Sequence, residues 1–339
     1  MIRKRISLGL YFILILAFLS QTALAGKITD QIYKKGLVLY AQMVLAESFF
    51  SHAKWVDKTS EEAIPYKKLN TFLADEDFYE KFPLIDAERA IDIYYVTAVT
   101  QMILRKQGLK TLPVGGTMLG LLRNKGLLPH DDDADFVIRE NDLEKVLELR
   151  QEFAKYKLAF RRAPGIGLQI YPVGGESNLV MTSRLLWNTA AEFIKFLNMD
   201  KKDLTQRGFV DLMPVRHYEE GFFRYSGLFA EEVWWHVTFP ENLLQNDYEE
   251  YDFGPIKLWG PDRKIMEETI LKEYPDSLDY CMQTVDHRHT TSPDYVLVRL
   301  SKAQKKPFPL SSQDLEVLEA RFLEVGLVLN KGVLESRAD

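Results

Sequence analysis

Asp131, Asp132, Asp133 and Asp135 place four carboxylates within five positions, directly ahead of the apolar run Phe136-Val137-Ile138. Negative charge gathered at the entrance of a buried strand calls for a cation. If "DADFV" is extended, its side chains alternate between faces, so Asp133 and Asp135 point the same way at a separation of roughly 6–7 Å. Two carboxylates so placed can straddle a divalent ion, whose Mg–O distances are about 2.0–2.1 Å. A third acid comes from far along the chain. Asp211 stands alone between Val210 and Leu212 in "GFVDLMPV", where an unpaired buried carboxylate would be costly and a metal-bound one would not. Asp131, one step earlier in the turn, lies on the metal side, whereas Asp132 alternates away from it.

Two other readings of the acids stand beside this one. An Asp-rich turn is a common solvated feature. A calcium loop fits Asp131, Asp133 and Asp135 as D-x-D-x-D, but an EF-hand needs Gly at its sixth position and Glu at its twelfth. Here those positions hold Phe136 and Asp142, so the calcium loop is excluded. The metal reading gains from the glycine turn about fifteen residues upstream. Backbone N–H groups of Gly115, Gly116 and Thr117, at a helix start, can cradle a phosphate bridged by the same cation. Arg123 can add a planar bidentate contact to that anion.

The elements that must hold these residues follow from periodicity and turn residues. Residues 27–70 and 84–107 read as helices, the second ending at Gly108. "TLPVGGT" reads as a short strand entering a glycine turn, "MLGLLRNKG" as a helix closed by Gly126, and "ADFVI" as a strand. Asn141 with Glu144 predicts a capping box that opens the next helix. "GIGLQIYPV" and "GFVDLMPV" are further strands, and "SSQDLEVLEARFLEVG" is a capped amphipathic helix. Interleaved strands and helices predict an α/β (α+β) fold with a mixed sheet flanked by helices and an N-terminal helical segment.

Residues 1–25 have the layout of a secretory signal peptide: Arg3, Lys4 and Arg5, an apolar stretch, then Ala23-Leu24-Ala25 before Gly26. The expected organisation is therefore a signal peptide at 1–25 and an N-terminal helical region at 26–110 packing on a catalytic domain at 111–300. A helical tail follows at 301–339. Cleavage places the chain in a secretory lumen, a periplasm or outside the cell; retention of the segment would anchor it in a membrane. Net charge falls from −6 to −9 on cleavage, and without a long basic run nucleic acid is excluded as a partner. Cys281 is the only cysteine, so no intrachain disulfide forms. Lesser candidates are Trp234-Trp235-His236 as a cage for a quaternary ammonium, His287 and His289 with Cys281 as zinc ligands, and His217 as a base.

The string from Gly116 to Asp135 resembles the LicD/fukutin signature G-T-L-L-G-x-x-R-x-x-G-x-x-P-W-D-D-D-x-D. It matches at Gly116, Thr117, Leu119, Gly120, Arg123, Gly126, Pro129, Asp131, Asp132, Asp133 and Asp135. "VDLMPV", with Asp211 and Pro214, is similar to the downstream V-D-h-h-P block of that family. Strong similarity covers residues 112–138 and 209–215, and a weaker one reaches about 280. His130 stands where the family usually has Trp, and Glu273-Tyr274-Pro275 replaces its Arg-Tyr-Gly. The resemblance implies a nucleotidyltransferase fold and Mg²⁺ or Mn²⁺ held by Asp133, Asp135 and Asp211 with Asp131. It implies transfer of a phosphorylated alcohol from a cytidine-diphosphate donor, such as CDP-choline or a CDP-polyol, onto a glycan hydroxyl. In it, Gly115, Gly116 and Thr117 cradle the donor, Arg123 offsets transition-state charge, and Asp211 or a second ion helps deprotonate the acceptor. A nucleotidyltransferase acting on a small molecule or protein, and an inactive binding protein of the same fold, are the alternatives.

Overall fold

A computed structural model describes residues 71–74, 84–163, 166–173, 208–227, 230–231, 234, 237–245, 247–274, 277–283 and 295–337. The leader segment, the helix expected over 27–70, and Trp235, His236, His287 and His289 lie outside these residues. Among the described residues no helix is long and apolar enough to cross a membrane.

Strand β1 (Thr71–Ala74) precedes the long helix α1 (Ala87–Lys106). Asp86 caps α1 by accepting the Arg89 backbone N–H at 2.7 Å. Gly108, at φ +66°, ends it in the left-handed conformation a C′ residue needs. Every residue from Arg89 to Gln101 is buried, so α1 is a core helix enclosed on all sides.

β2 (Thr111–Pro113) runs into α2 (Gly115–Leu119), which widens into a π-helical turn over Gly120–Asn124. Lys125 breaks that turn at φ 57°. A Cβ on Gly120 would lie 2.5 Å from the Gly126 carbonyl oxygen, and one on Gly126 would lie 2.8 Å from the Gly254 nitrogen. The spacing of these glycines therefore records two close backbone approaches. β3 (Ala134–Arg139) then passes directly into α3 (Glu140–Glu148), followed by α4 (Arg150–Lys155). This corrects one expectation. Asn141 lies inside α3, whose cap position is Arg139 with no side-chain capping bond. The strand leaves no turn in which Asn141 could cap, and Glu144 pairs instead with Arg162 at 2.7 Å.

β4 (Leu158–Ala163), β5 (Gly167–Pro172), β6 (Val210–Glu219), β7 (Phe222–Tyr225) and β8 (Phe239–Pro240) complete a seven-stranded sheet. Its main order is β2-β3-β6-β5-β4, with β7 on β6 and β8 on β7. β3 and β6 are parallel and their other neighbours antiparallel, so the sheet is mixed and the fold is α+β. α1 packs on β5 and β6, and α3 on β3 and β6. Phe136, Val137, Ile138, Leu168, Ile170, Val210 and Leu212 are buried in the core between them.

α5 (Asn242–Gln245), the hairpin β9 (Glu249–Phe253) and β10 (Ile256–Gly260), and α6 (Arg263–Glu273) follow. β11 (Tyr280–Gln283) and β12 (Tyr295–Arg299) form a separate sheet with β1. The C-terminal helix α7 (Ser312–Glu324) has the reciprocal Ser311–Asp314 capping box and is followed by the hairpin β13 (Leu327–Asn330) and β14 (Val333–Ser336). An ion pair between Arg321 and fully buried Asp92, with the Tyr95 and Phe322 rings 5.2 Å apart, fastens α7 to α1.

Candidate active site

The parallel register of β3 and β6 sets Asp135 directly opposite Asp211. Residues facing each other across a ladder share one face of the sheet, and Asp133 enters the same group from the end of the preceding turn. Carboxylate oxygens of Asp133, Asp135 and Asp211 lie within 4.8 Å of one another, as do those of Asp131, Asp132 and Asp133. The strand alternation and the lone acid in "VDL" are thus brought together by a single register.

Within the glycine turn, Gly116 leaves the room that Asp131 occupies, whereas Gly115 is required by its φ of +52°. A Cβ on Gly116 would fall 2.1 Å from Asp131 Oδ2, and one on Gly115 would sit 3.8 Å from Asp135 Oδ2. Thr117 is buried and its Oγ1 accepts the Asp135 backbone N–H at 2.8 Å, while the Val114 N–H donates to the Asp135 carbonyl at 3.0 Å. Both main-chain polar groups of Asp135 are therefore fixed by the turn. The Thr117 hydroxyl is spent on this positioning. Arg123 donates from Nε to Asn124 Oδ1 at 2.7 Å and from Nη1 to the Ser277 carbonyl at 2.8 Å. It ties the π-helical turn to the segment after α6. His130 is half-buried on the turn that carries the acids.

Three residues that sequence reasoning passed over complete the arrangement. Asp132, expected to alternate away, keeps a carboxylate oxygen within 4.8 Å of Asp131 and Asp133 and also pairs with Arg89 of α1, with Nη1 to Oδ2 at 3.4 Å and side chains only 5% and 15% exposed. Gln169 of β5 stands opposite Asp211, and its Nε2 donates to Asp211 Oδ1 at 3.1 Å. Arg161 of β4 stands opposite Gln169, and its Nε donates to Gln169 Oε1 at 3.0 Å. A polar row Asp135–Asp211–Gln169–Arg161 thus crosses four strands. A signal for it was present: Gln169 is the lone polar residue in the apolar string "GLQIYP", as Asp211 is in "VDLMP".

Electrostatics oppose so many negative charges. Burial, then Asp135, Asp131, Asp132 and Asp211, pushes Asp133 well above the usual carboxylate range. Burial, then Asp211, Asp131, Asp132 and Glu273, does the same to Asp135. Asp211 is pushed up to about 6 by burial, against the Gln169 hydrogen bond and the Arg161 charge that favour ionisation. Glu273, buried at the end of α6, is pushed up to about 7 by burial against a Tyr274 hydrogen bond. α6 packs on α2, so Glu273 adds a further carboxylate to the field around Asp135.

The oxygen-only donor set, the mutual proximity of three carboxylates and the glycine turn shaped around them fit a hard divalent cation. Such an ion would offset the burial, and the repulsion added to it, that raise the three pKa values. His217 belongs elsewhere: it is exposed, with Nδ1 at 2.6 Å from Glu241. Six residues along β6 from Asp211, it lies about 20 Å away at strand rise. Trp234 stacks 5.5 Å from the buried Tyr225 ring, while its two cage partners and the zinc-candidate histidines lie outside the described residues.

Residues 108–263 match the family model of the LicD/FKTN/FKRP nucleotidyltransferase domain. An uncharacterized protein of Rickettsia prowazekii is 25% identical over 198 residues, covering 57% of this chain and 57% of its own length. An uncharacterized protein of Rickettsia typhi is 24% identical over 224 residues, covering 66% of this chain and 56% of its own. The chain therefore spans little more than half the length of these curated relatives. Every acid of the cluster, both glycines beneath it, and Gln169 and Arg161 fall inside the matched segment. Over residues 108–263 the chain is thus similar to the nucleotidyltransferase domain of LicD/FKTN/FKRP proteins.

Proposed function

We propose that this transferase-family domain is a metal-dependent phosphotransferase, moving a phospho-alcohol group from a CDP-type donor to a glycan hydroxyl. The observation that carries the reading is the convergence of Asp133, Asp135 and Asp211 within 4.8 Å. Asp133, Asp135 and Asp211, with Asp131 at the edge, would hold Mg²⁺ or Mn²⁺. When bound, such an ion supplies Lewis acidity to phosphoryl oxygens and neutralises charge on the leaving nucleotide. The donor identity follows the family resemblance, and the leader-like segment makes export part of the same proposal.

The chain's own residues have distinct tasks in this reaction. The acceptor hydroxyl oxygen attacks the phosphorus that bears the alcohol, the bond from that phosphorus to the oxygen of the nucleotide phosphate breaks, and cytidine monophosphate leaves. The hydroxyl proton passes to a site carboxylate. Asp211 or a second ion would help take that proton. The Thr117 hydroxyl keeps Asp135 in place, and the Arg123 guanidinium offsets negative charge from the side of the π-helical turn.

A donor labelled separately in its alcohol and its nucleotide tests the reading. Label from the phospho-alcohol half on the acceptor supports phosphotransfer. Label from the nucleotide half shows the alternative, a nucleotidyltransferase. Retention of the intact donor without transfer of either half indicates a binding protein.

A further inference from the structure

We propose that Gln169 and Arg161 are positioning residues that set the orientation of Asp211, so that cation affinity at the acid cluster depends on a guanidinium two strands away. The inference rests on reading Asp133, Asp135 and Asp211 as cation ligands. Its basis is the row of register partners. Asp211 opposes Gln169 across the β6–β5 ladder, and Gln169 opposes Arg161 across the β5–β4 ladder, so all three side chains share one sheet face.

A glutamine amide has a donor end and an acceptor end, and its environment decides which way it points. Here both Arg161 Nε and Nη2 donate to Gln169 Oε1. An arginine has only donors, so the amide cannot reverse without setting its N–H groups against the guanidinium. The Nε2 end is thereby fixed towards Asp211, where it donates to Oδ1 at 3.1 Å. Gln169 is 6% and Asp211 8% exposed, so water competes little for these bonds. The direction of every donor in the row holds Asp211 Oδ1 against the Gln169 amide. It also fixes the plane of that carboxylate, which decides how its other oxygen meets a ligand. Groups that orient a ligating carboxylate typically change metal affinity 10–100-fold when removed.

A relay differs from two separate contributions in one measurable respect. If Arg161 acts through Gln169, its loss costs nothing further once the amide is gone. The test is titration of the full chain with Mn²⁺ alone, by calorimetry and by the paramagnetic signal of free Mn²⁺. It compares wild type with Asp135→Asn, Arg161→Met, Gln169→Met and the Arg161→Met/Gln169→Met double variant. Thermal unfolding in chelator is recorded for each. Wild type should bind and Asp135→Asn should not. Arg161→Met and Gln169→Met should each weaken binding about tenfold or more, and the double variant should match Gln169→Met. Arg161→Lys keeps the charge without the fork and is the variant least prone to misfold. It should also weaken binding several-fold. If Asp135→Asn binds Mn²⁺ like wild type, or wild type binds none, the ligand reading itself fails and takes the relay with it. If Asp135→Asn loses binding while Arg161→Met retains wild-type affinity, the relay alone is wrong. Multiplying losses in the double variant, or wild-type affinity in Arg161→Lys, would likewise overturn it.

Discussion

In metal-free protein, Asp211→Asn should increase stability at neutral pH, the opposite of what loss of a buried hydrogen-bonding residue ordinarily does. Asp211 is 8% exposed and its carboxyl is pushed up to about 6, first by burial, against an unfolded value of about 3.9. The folded state therefore holds that proton more tightly than the unfolded state. The corresponding stability is fully present below about pH 4 and is lost as pH rises through about 6. A rise of about two units corresponds to roughly 3 kcal/mol at about 1.36 kcal/mol per unit. Asparagine is neutral, nearly isosteric, and its Oδ1 can still accept from Gln169. Most of the penalty should therefore vanish, giving a gain of about 2–3 kcal/mol at pH 7.5, or ~4–12 °C for a domain of this size. The assay is urea denaturation in EDTA at pH 7.5 and pH 4.5. The variant should be more stable than wild type at the higher pH, with the difference largely closing at the lower one. Saturating Mn²⁺ should reverse the order at pH 7.5, because only wild type keeps the full ligand set. A variant less stable than wild type by more than about 1 kcal/mol in EDTA at pH 7.5 would refute the view that Asp211 is a strained, cation-seeking carboxylate.

Asp133→Asn and Asp135→Asn should each abolish turnover while metal-free unfolding stays unchanged or improves, measured by donor consumption beside thermal unfolding. Asp132→Asn should instead act on stability: it removes the charge that faces nearly buried Arg89 and should cost about 1–3 kcal/mol in EDTA, with turnover of the folded fraction within a few-fold of wild type. Gly116→Ala places a methyl 2.1 Å from where Asp131 Oδ2 now lies, so Mn²⁺ affinity should fall at least tenfold as the acid is displaced. Arg123→Lys removes a fork bonded to Asn124 and Ser277 and should lower stability by about 1–2 kcal/mol. If Arg123 also meets transition-state charge, kcat should fall about 10²-fold with KM changing less, a split that separates the two roles.

Much of the site was legible because its strongest signal is local. Four aspartates ahead of an apolar strand, with glycines upstream, mark a carboxylate cluster from the local sequence alone, and Asp211 betrays itself by standing alone in an apolar string. Gln169 carried the same signal in weaker form, since an uncharged amide in a strand costs less to bury and draws less suspicion. Arg89 and Arg161 were not legible. Arg89 reads as an ordinary first-turn helix residue, and its partner Asp132 lies 43 positions away. Arg161 sits beside a second arginine in "FRRA", and only the β4–β5 register tells which of the two faces the site. The Asn141 capping box failed because pattern alone cannot show that β3 and α3 are contiguous. Gly115 and Gly116 read from the sequence as a phosphate cradle, and nothing in the pattern told that Gly116 also makes room for Asp131.

The most direct test of the central claim is release of free nucleotide by this protein from CDP-alcohol donors, with a glycan acceptor present. It is measured with Mg²⁺ or Mn²⁺, with EDTA, and with Asp133→Asn. The account predicts release that requires the cation, disappears in EDTA, returns when metal is restored, and is lost in Asp133→Asn protein that still folds. Release that persists in EDTA, or that survives Asp133→Asn at the wild-type rate, would contradict it.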